Sequence, residues 1–480
     1  MKKILIVFFL VWLPIVAGAQ THFMADGIRY RIVQDADESV TVGLVHVAPL
    51  ENGEYEGDVV IPNAVKSGPE AYAETYKVVG IDEKAFADCY DLESVTLPPS
   101  VEIIGAMAFQ NSPSLEKVVL PYGNLTEIGP ASFCYAAIRS IEIPASVRVI
   151  RVSAFASCEK LESVVFSEGL EQLEGGTFSG CTSLSSVHLP ASLKSMGFSD
   201  FSGTGLKEIS FPQGLRIIPI AVCSGCPNLT KVDIPESVRE IQNGAFANCP
   251  RLEFIHLPSR LRLIGSAVFS STGLKQIDIP EGVSMVPDYC FSHCESLTSV
   301  RLPEGLEKIG DAAFHSCPIQ TIHLPSSLKT IGVSAFSFSG ITQVTIPGGI
   351  SSLPESCFNA CKQLTSVTLS EGLESVGEEA FYECPIQTLV LPSSLKTLEE
   401  ECFARTNIQE LIIPSKVTIL REDAFESCRD LVKVDILAPL DNLDKDIFSH
   451  CYKLKSVTVH FPIGKANPYP EDGLFRVVYD

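Results

Sequence analysis

Basic residues are scarce in this 480-residue chain: 36 lysines and arginines stand against 58 aspartates and glutamates. A surface with that excess of acid repels nucleic-acid phosphates and anionic lipid heads, so no nucleic acid is expected as a partner. After the first twenty residues, no apolar run reaches the length that a membrane-spanning helix requires. Catalytic signatures are missing too. There is no G-x-S-x-G elbow, no H-E-x-x-H and no G-x-x-x-x-G-K-S/T loop. Carboxylates are plentiful but scatter over the turns of nearly identical copies, so the chain is expected not to be an enzyme and to need no cofactor. No serine- or glycine-rich linker divides it. With 45% hydrophobic and 20% charged residues, it is no disordered acidic tail.

The N-terminus is built differently from the rest. Lys2 and Lys3 precede an apolar stretch from Ile4 to Val16, and Ala17-Gly18-Ala19 supplies a small-x-small cleavage site. This pattern predicts a secretory signal over 1–19 and a mature chain beginning at Gln20. Without the two lysines the balance becomes 34 basic to 58 acidic residues, or −24. The chain is expected to leave by the general secretory route, for the cell surface or medium, with the periplasm as the alternative.

A fixed period dominates the remainder of the chain. Phenylalanine recurs at Phe86, Phe109, Phe133, Phe155, Phe178, Phe201, Phe246, Phe269, Phe291, Phe314, Phe336, Phe358, Phe381, Phe403, Phe425 and Phe448, with Cys223 in the same place between Phe201 and Phe246. The spacing is 22 to 24 residues throughout. One copy, Leu297 to Cys317, shows the logic. Val300-Arg301-Leu302 alternates as a strand with one buried face must, and Pro303 ends the ladder because it lacks a donor. Leu306 and Ile309 return apolar groups to the interior, and Gly310 suits a tight corner. Ala312-Ala313-Phe314 is expected to open a short helical turn that sends the phenylalanine inward. One such unit cannot bury its apolar face alone, whereas stacked copies cover one another. The expected fold is mainly β with short helical turns, a solenoid of about 17 units. An N-terminal cap over 20–58 and a C-terminal cap or tail over 461–480 would flank an array over 59–460.

Segments such as "LPSSLKTIG" at Leu324–Gly332 and "AFESC" at Ala424–Cys428 resemble the BspA-like class of bacterial leucine-rich repeats. The resemblance covers roughly residues 59–460, and the leading stretch from Asp26 is similar to that of such proteins as well. It implies an exported or surface-displayed binding protein, linked to adhesion to host components or other cells. It brings no catalytic residues, and ligands differ between members.

A longer period lies over the first. Three residues after the phenylalanine column come Cys158, Cys181, Thr204, then Cys226, Cys249, Thr272, then Cys294, Cys317, Ser339, then Cys361, Cys384, Thr406. Neighbouring strands lie ~4.8 Å apart, within reach of a disulfide between rungs. Threonine and serine fill the same slot without a partner, however, which favours a column of buried free thiols. Zinc fares worse, because His188, His256 and His323 share a strand position but stand three rungs, ~14 Å, apart.

The outward row at the centre of successive strands is where identity changes from rung to rung. His188, Asp233, His256, Asp278, Arg301 and His323 make its charged, mixed stretch, and Val390 and Ile412 an apolar spot beyond. The row has no aromatic residue, and its neighbouring column has only Phe254, so a protein ligand fits better than a polysaccharide. The expected partner is a host or bacterial surface or matrix protein. Two alternatives stay open: an ordinary solvated face free to drift, and a scaffolding protein of the periplasm or envelope with no external ligand.

Overall fold

The structure is a computed structural model that describes residues 21–34, 43–50, 54–68, 73–438, 440, 445–461 and 474–479. The expected signal over 1–19 and most of the tail over 461–480 lie outside the described residues. The chain divides into two compact units, Met1–Leu206 and Lys207–Asp480.

The first unit opens with strands that double back. His22–Ala25 pairs antiparallel with Ile28–Gln34, which pairs antiparallel with Gly43–Val47. Glu74–Ile81 then runs parallel to Gly43–Val47 and takes Ala64–Ser67 antiparallel. Asp82 locks this arrangement. Its carboxylate accepts hydrogen bonds from Arg31 Nε at 2.6 Å and Arg31 Nη2 at 2.5 Å, and His46 Nδ1 lies 2.9 Å away. Burial pushes the Asp82 carboxyl up, but the bonds from Arg31 and His46 outweigh it and hold it at about 2. Gly80 makes room for the imidazole, since a Cβ there would sit 2.7 Å from His46 Nε2.

From there the chain coils in parallel. Gly57–Val60, Leu92–Thr96, Lys117–Val119, Ser140–Ile143, Ser163–Phe166 and Ser186–Val187 form one sheet. Glu74–Ile81, Ile103–Ile104, Glu127–Ile128, Val149–Ile150 and Gln172–Leu173 line a second. The period-2 alternation decides which way each residue faces: Val118 and Ile141 are buried, while Val119 and Glu142 are exposed. The second unit repeats the coil, with Lys231–Asp233, Gln276–Asp278, Ser299–Arg301 and Glu410–Ile413 among its outward-facing strands.

The third side of each coil is a turn centred on the column phenylalanine. Residues two before and two after it are left-handed: Lys84 (φ 57°) and Asp88 (φ 56°) flank Phe86, and Ala312 (φ 48°) and Ser316 (φ 57°) flank Phe314. The short helical turns are therefore wide turns, and Lys445–Phe448 is the one helical segment, a 3-10 turn, among the described residues. Left-handed backbone costs an L-residue ~1–2 kcal/mol. Bonds between successive turns offset that cost, such as Phe86 N–H to Ala108 O at 2.7 Å and Asp88 N–H to Gln110 O at 2.9 Å. Gly310 has another role than a left-handed corner. A Cβ there would come within 2.5 Å of Asp288 N in the preceding rung.

Inside the turns the rings stack. From Phe86 to Phe201 successive centroids lie 4.9 to 5.5 Å apart with planes within 6°. In the second unit the run from Phe246 to Phe448 has spacings of 5.1 to 6.0 Å. All sixteen cysteines are buried and unbridged. Column thiols donate to the carbonyl of the preceding rung's phenylalanine, as Cys294 Sγ does to Phe269 O at 3.0 Å and Cys317 Sγ to Phe291 O at 2.9 Å. Thr272 Oγ1 donates to the same Phe269 O at 2.8 Å. Threonine can replace cysteine because both meet the same kind of buried acceptor. Burial pushes the thiols of Cys290, Cys357 and Cys402 well above the usual range.

Candidate functional site

The outward sheet face of the second unit is not uniform. Lys231–Asp233 pairs with Glu208–Ser210, and Gln276–Asp278 with Ser299–Arg301, but the rung between them forms no strand. The peptide groups of Phe254, Ile255 and His256 make no backbone hydrogen bond to a neighbouring rung. Where the ladder opens, a recess of about 590 Å³ forms, lined by Lys231, Asp233, Phe254, His256, Asp278 and Arg301 among others. That volume lies in the range proteins use to hold ligands.

Four of the six residues expected at the site meet here. Asp278 and Arg301 are directly paired across the ladder, with Arg301 Nε 3.4 Å from Asp278 Oδ1. Asp233 accepts from Lys231 Nζ at 2.9 Å and from Ser210 Oγ at 2.9 Å, and Lys231 first and Ser210 second hold its carboxyl below the usual range. His256 is 88% exposed, with Nε2 4.0 Å from Glu236 Oε1. His323 does not line the recess; it stands exposed with Nε2 3.7 Å from Glu304 Oε1. His188 is exposed on the first unit.

The recess also holds residues the outward row did not single out. Lys231 supplies the second cation, and Phe254, 54% exposed, supplies a ring with Lys275 Nζ 5.7 Å from its centroid. Their signal was present one strand position away from the row. Phe254 is an aromatic in a column otherwise filled by serine, threonine, lysine, glutamate and glutamine. The site can present both charges and one apolar face to a partner. Among the described residues no group of three or more His, Cys, Asp or Glu side chains is placed to hold a metal ion. No helix among them is long and apolar enough to cross a membrane.

The family model described as BspA type leucine rich repeat region (6 copies) matches residues 79–204, 173–297, 216–342, 284–407 and 329–455. The chain belongs to the BspA-type leucine-rich-repeat family. Among solved structures, this BspA-type protein is similar to a leucine-rich repeat protein from Bacteroides ovatus ATCC 8483. That match has 24% identity, covers 95% of this chain and 99% of that one, and has a TM-score of 0.51. It shows the shared fold. A leucine rich cell surface protein from Faecalibacterium prausnitzii A2-165 also matches, at 20% identity over 92% of this chain and 96% of that one, with a TM-score of 0.32. No curated protein matches the BspA-type chain.

Proposed function

We propose that this BspA-type protein is an exported, non-catalytic surface protein that binds a protein partner, in the manner of an adhesin, through the sheet face of its second unit. The partner class is a host or bacterial surface or matrix protein. The recess where Asp233, His256, Asp278 and Arg301 meet exposed Phe254 carries the reading. Interfaces favour an aromatic anchor ringed by polar groups, and a scatter of tolerated surface residues gives no reason for charges of both signs to meet at a gap in the ladder. The acidic balance of the chain, −22 overall, supports a protein over a nucleic acid.

The test replaces Asp278 and Arg301 together with serine and measures capture of matrix proteins and co-resident cells on immobilised protein. Loss of a partner that the parent captures supports the reading. Equal capture of every partner removes the sheet recess as the binding site. Protease treatment of intact cells tests the location: protection until the outer membrane is broken would point to an envelope scaffold instead.

A further inference from the structure

The gap in the ladder recurs. The strand-broken rungs of the second unit run through Phe254–His256, Thr321–His323 and Thr388–Val390, three rungs apart, and the last two keep only isolated bridges, from Thr321 to Ser299 and Gln343 and from Thr388 to Ser366. Each broken rung leads into the turn whose core column carries a hydroxyl, at Thr272, Ser339 and Thr406. The three-rung period therefore carries an opening with it, and the residues around each opening differ.

At the third opening an apolar wall is edged by Gln387, Thr388, Ser393 and Gln409. A recess of about 620 Å³ is bounded by Leu389, Val390, Leu391, Ile412, Pro414 and Leu437. Val390 is 79% exposed, Ile412 56% and Leu437 42%. Glu410 stands at the rim. Its strand partner Lys433 gives its ammonium to Asp435 at 2.7 Å and acts on Glu410 only through space, and the Glu410 carboxylate is exposed. The peptide groups of Leu389, Val390 and Leu391 make no backbone hydrogen bond to a neighbouring rung.

We infer that this recess is a second subsite on the same face, taking an extended segment of the partner polypeptide: an apolar side chain against Val390, Ile412 and Leu437, with an adjacent lysine or arginine at Glu410. A polypeptide meets all three demands of the site. Its side chain covers the apolar wall, its cation complements the lone rim carboxylate, and its backbone offers donors and acceptors to the unpaired peptide groups. A sugar meets fewer of them, since no aromatic ring lines the recess for it to stack on. The inference rests on the sheet face being the binding surface, and its test uses residues remote from the Asp278–Arg301 pair.

The test titrates the full chain, methyl-labelled at isoleucine, leucine and valine, with capped Gly-Ser-Leu-Lys-Ser-Gly and with its Leu-Glu and Ser-Lys counterparts. The leucine–lysine peptide should shift the methyl signals of Val390 and Ile412 saturably, and roughly fivefold or more tightly than the leucine–glutamate peptide. Glu410→Gln should erase that preference, and Val390→Asp should abolish the shifts. The Asp278, Arg301 double variant should bind the peptide as the parent does, so the two subsites fail or succeed separately. Equal binding of the three peptides, shifts confined to other methyls, or no shift in the millimolar range would overturn the inference. So would self-association of the chain that Val390→Asp removes, because a second copy would then be the occupant.

Discussion

Phe211 sets its ring edge-on to Phe246, with centroids 6.4 Å apart and planes at 63°, and is 5% exposed. Cys223, the residue in the phenylalanine column at the intervening turn, is too small to fill its rung. Phe211, just past the strand Glu208–Ser210, is a buried ring of that rung and is expected to take up the volume that the turn lacks. Phe211→Ala should remove that filling and cost ~3–5 kcal/mol, the range for emptying a packed aromatic site. Adding Cys223→Phe to Phe211→Ala should restore part of the loss, because each change vacates or occupies neighbouring space. Denaturant unfolding of the parent and the three variants checks this. Additive losses in the double variant would show that the two positions do not share a cavity.

The phenylalanine and cysteine columns were legible in the sequence because each repeats once per rung, so seventeen copies average out local drift. The wide turns were not. Positions two either side of the phenylalanine are mostly alanine, serine, lysine, tyrosine, aspartate and glutamate. Glycine stands at only five of them, Gly176, Gly180, Gly203, Gly225 and Gly244, and asparagine at Asn111 and Asn248, so the left-handed signature is too diluted along the array to mark the turn. Bonds between rungs impose that conformation, and local propensity cannot show them. The outward row named four of the recess residues, but the recess depends on a missing strand, and residue pattern alone does not reveal which rung leaves the ladder. The Arg31–His46–Asp82 cluster is invisible for another reason: its members are 15 to 51 residues apart and form no motif.

Asp200 occupies the core column that holds alanine at Ala85, Ala108 and Ala154. It is fully buried, accepts from Thr177 N at 3.1 Å and Gly197 N at 2.8 Å, and burial nonetheless pushes its carboxyl up to about 7. In the unfolded chain an aspartate titrates near ~4. Between those values the folded state keeps a proton that the unfolded state has lost. The stabilising contribution is therefore complete below about 4 and is lost as pH rises through about 7. Urea midpoints measured from pH 4.5 to 8 should fall with pH for the parent. They should flatten in Asp200→Asn, which cannot ionise. The same slope in both would show that another group sets it.

Column cysteines should behave as core atoms. Alkylation of the unfolded, unreduced chain should label all sixteen, in line with their unbridged state. Cys294→Ser keeps a donor for Phe269 O and should cost ~1 kcal/mol or less, whereas Cys294→Val keeps the volume but loses the donor and should cost more, ~1–3 kcal/mol. Mass spectrometry and thermal melting decide both points. A valine variant more stable than the serine one would mean that packing, not the bond to Phe269, governs the column.

The Asp82 carboxylate is held at about 2 by Arg31 and His46, so its contribution is present above ~4 and is lost as pH falls through about 2. Asp82→Asn should weaken the attachment of the first strands by ~1.5–3 kcal/mol, the range for bonds to a charged group. The loss should appear as faster hydrogen exchange in Ile28–Gln34 and Gly43–Val47, leaving the coil beyond Val149–Ile150 unchanged, because damage in an array stays near its source. Uniform acceleration along the chain would mean that the cluster supports the whole unit.

The Asp278–Arg301 pair sits on adjacent strands, yet its side chains remain 72% and 65% exposed. Ion pairs so open to water contribute ~0–1 kcal/mol, so the serine double variant should melt close to the parent. That near-neutrality is what makes the binding measurement interpretable. If partner capture falls while the melting profile holds, the residues act on the ligand and not on the fold. Binding through them should weaken as salt rises, since charges at such a surface are screened within ~8 Å at physiological ionic strength. The double variant should have lost most of that salt sensitivity, because Lys231 stays committed to Asp233 at 2.9 Å. A parent whose partner binding ignores salt would place the contact on Phe254 and the apolar wall, and would make Phe254→Ser, not the charge pair, the change that releases the ligand.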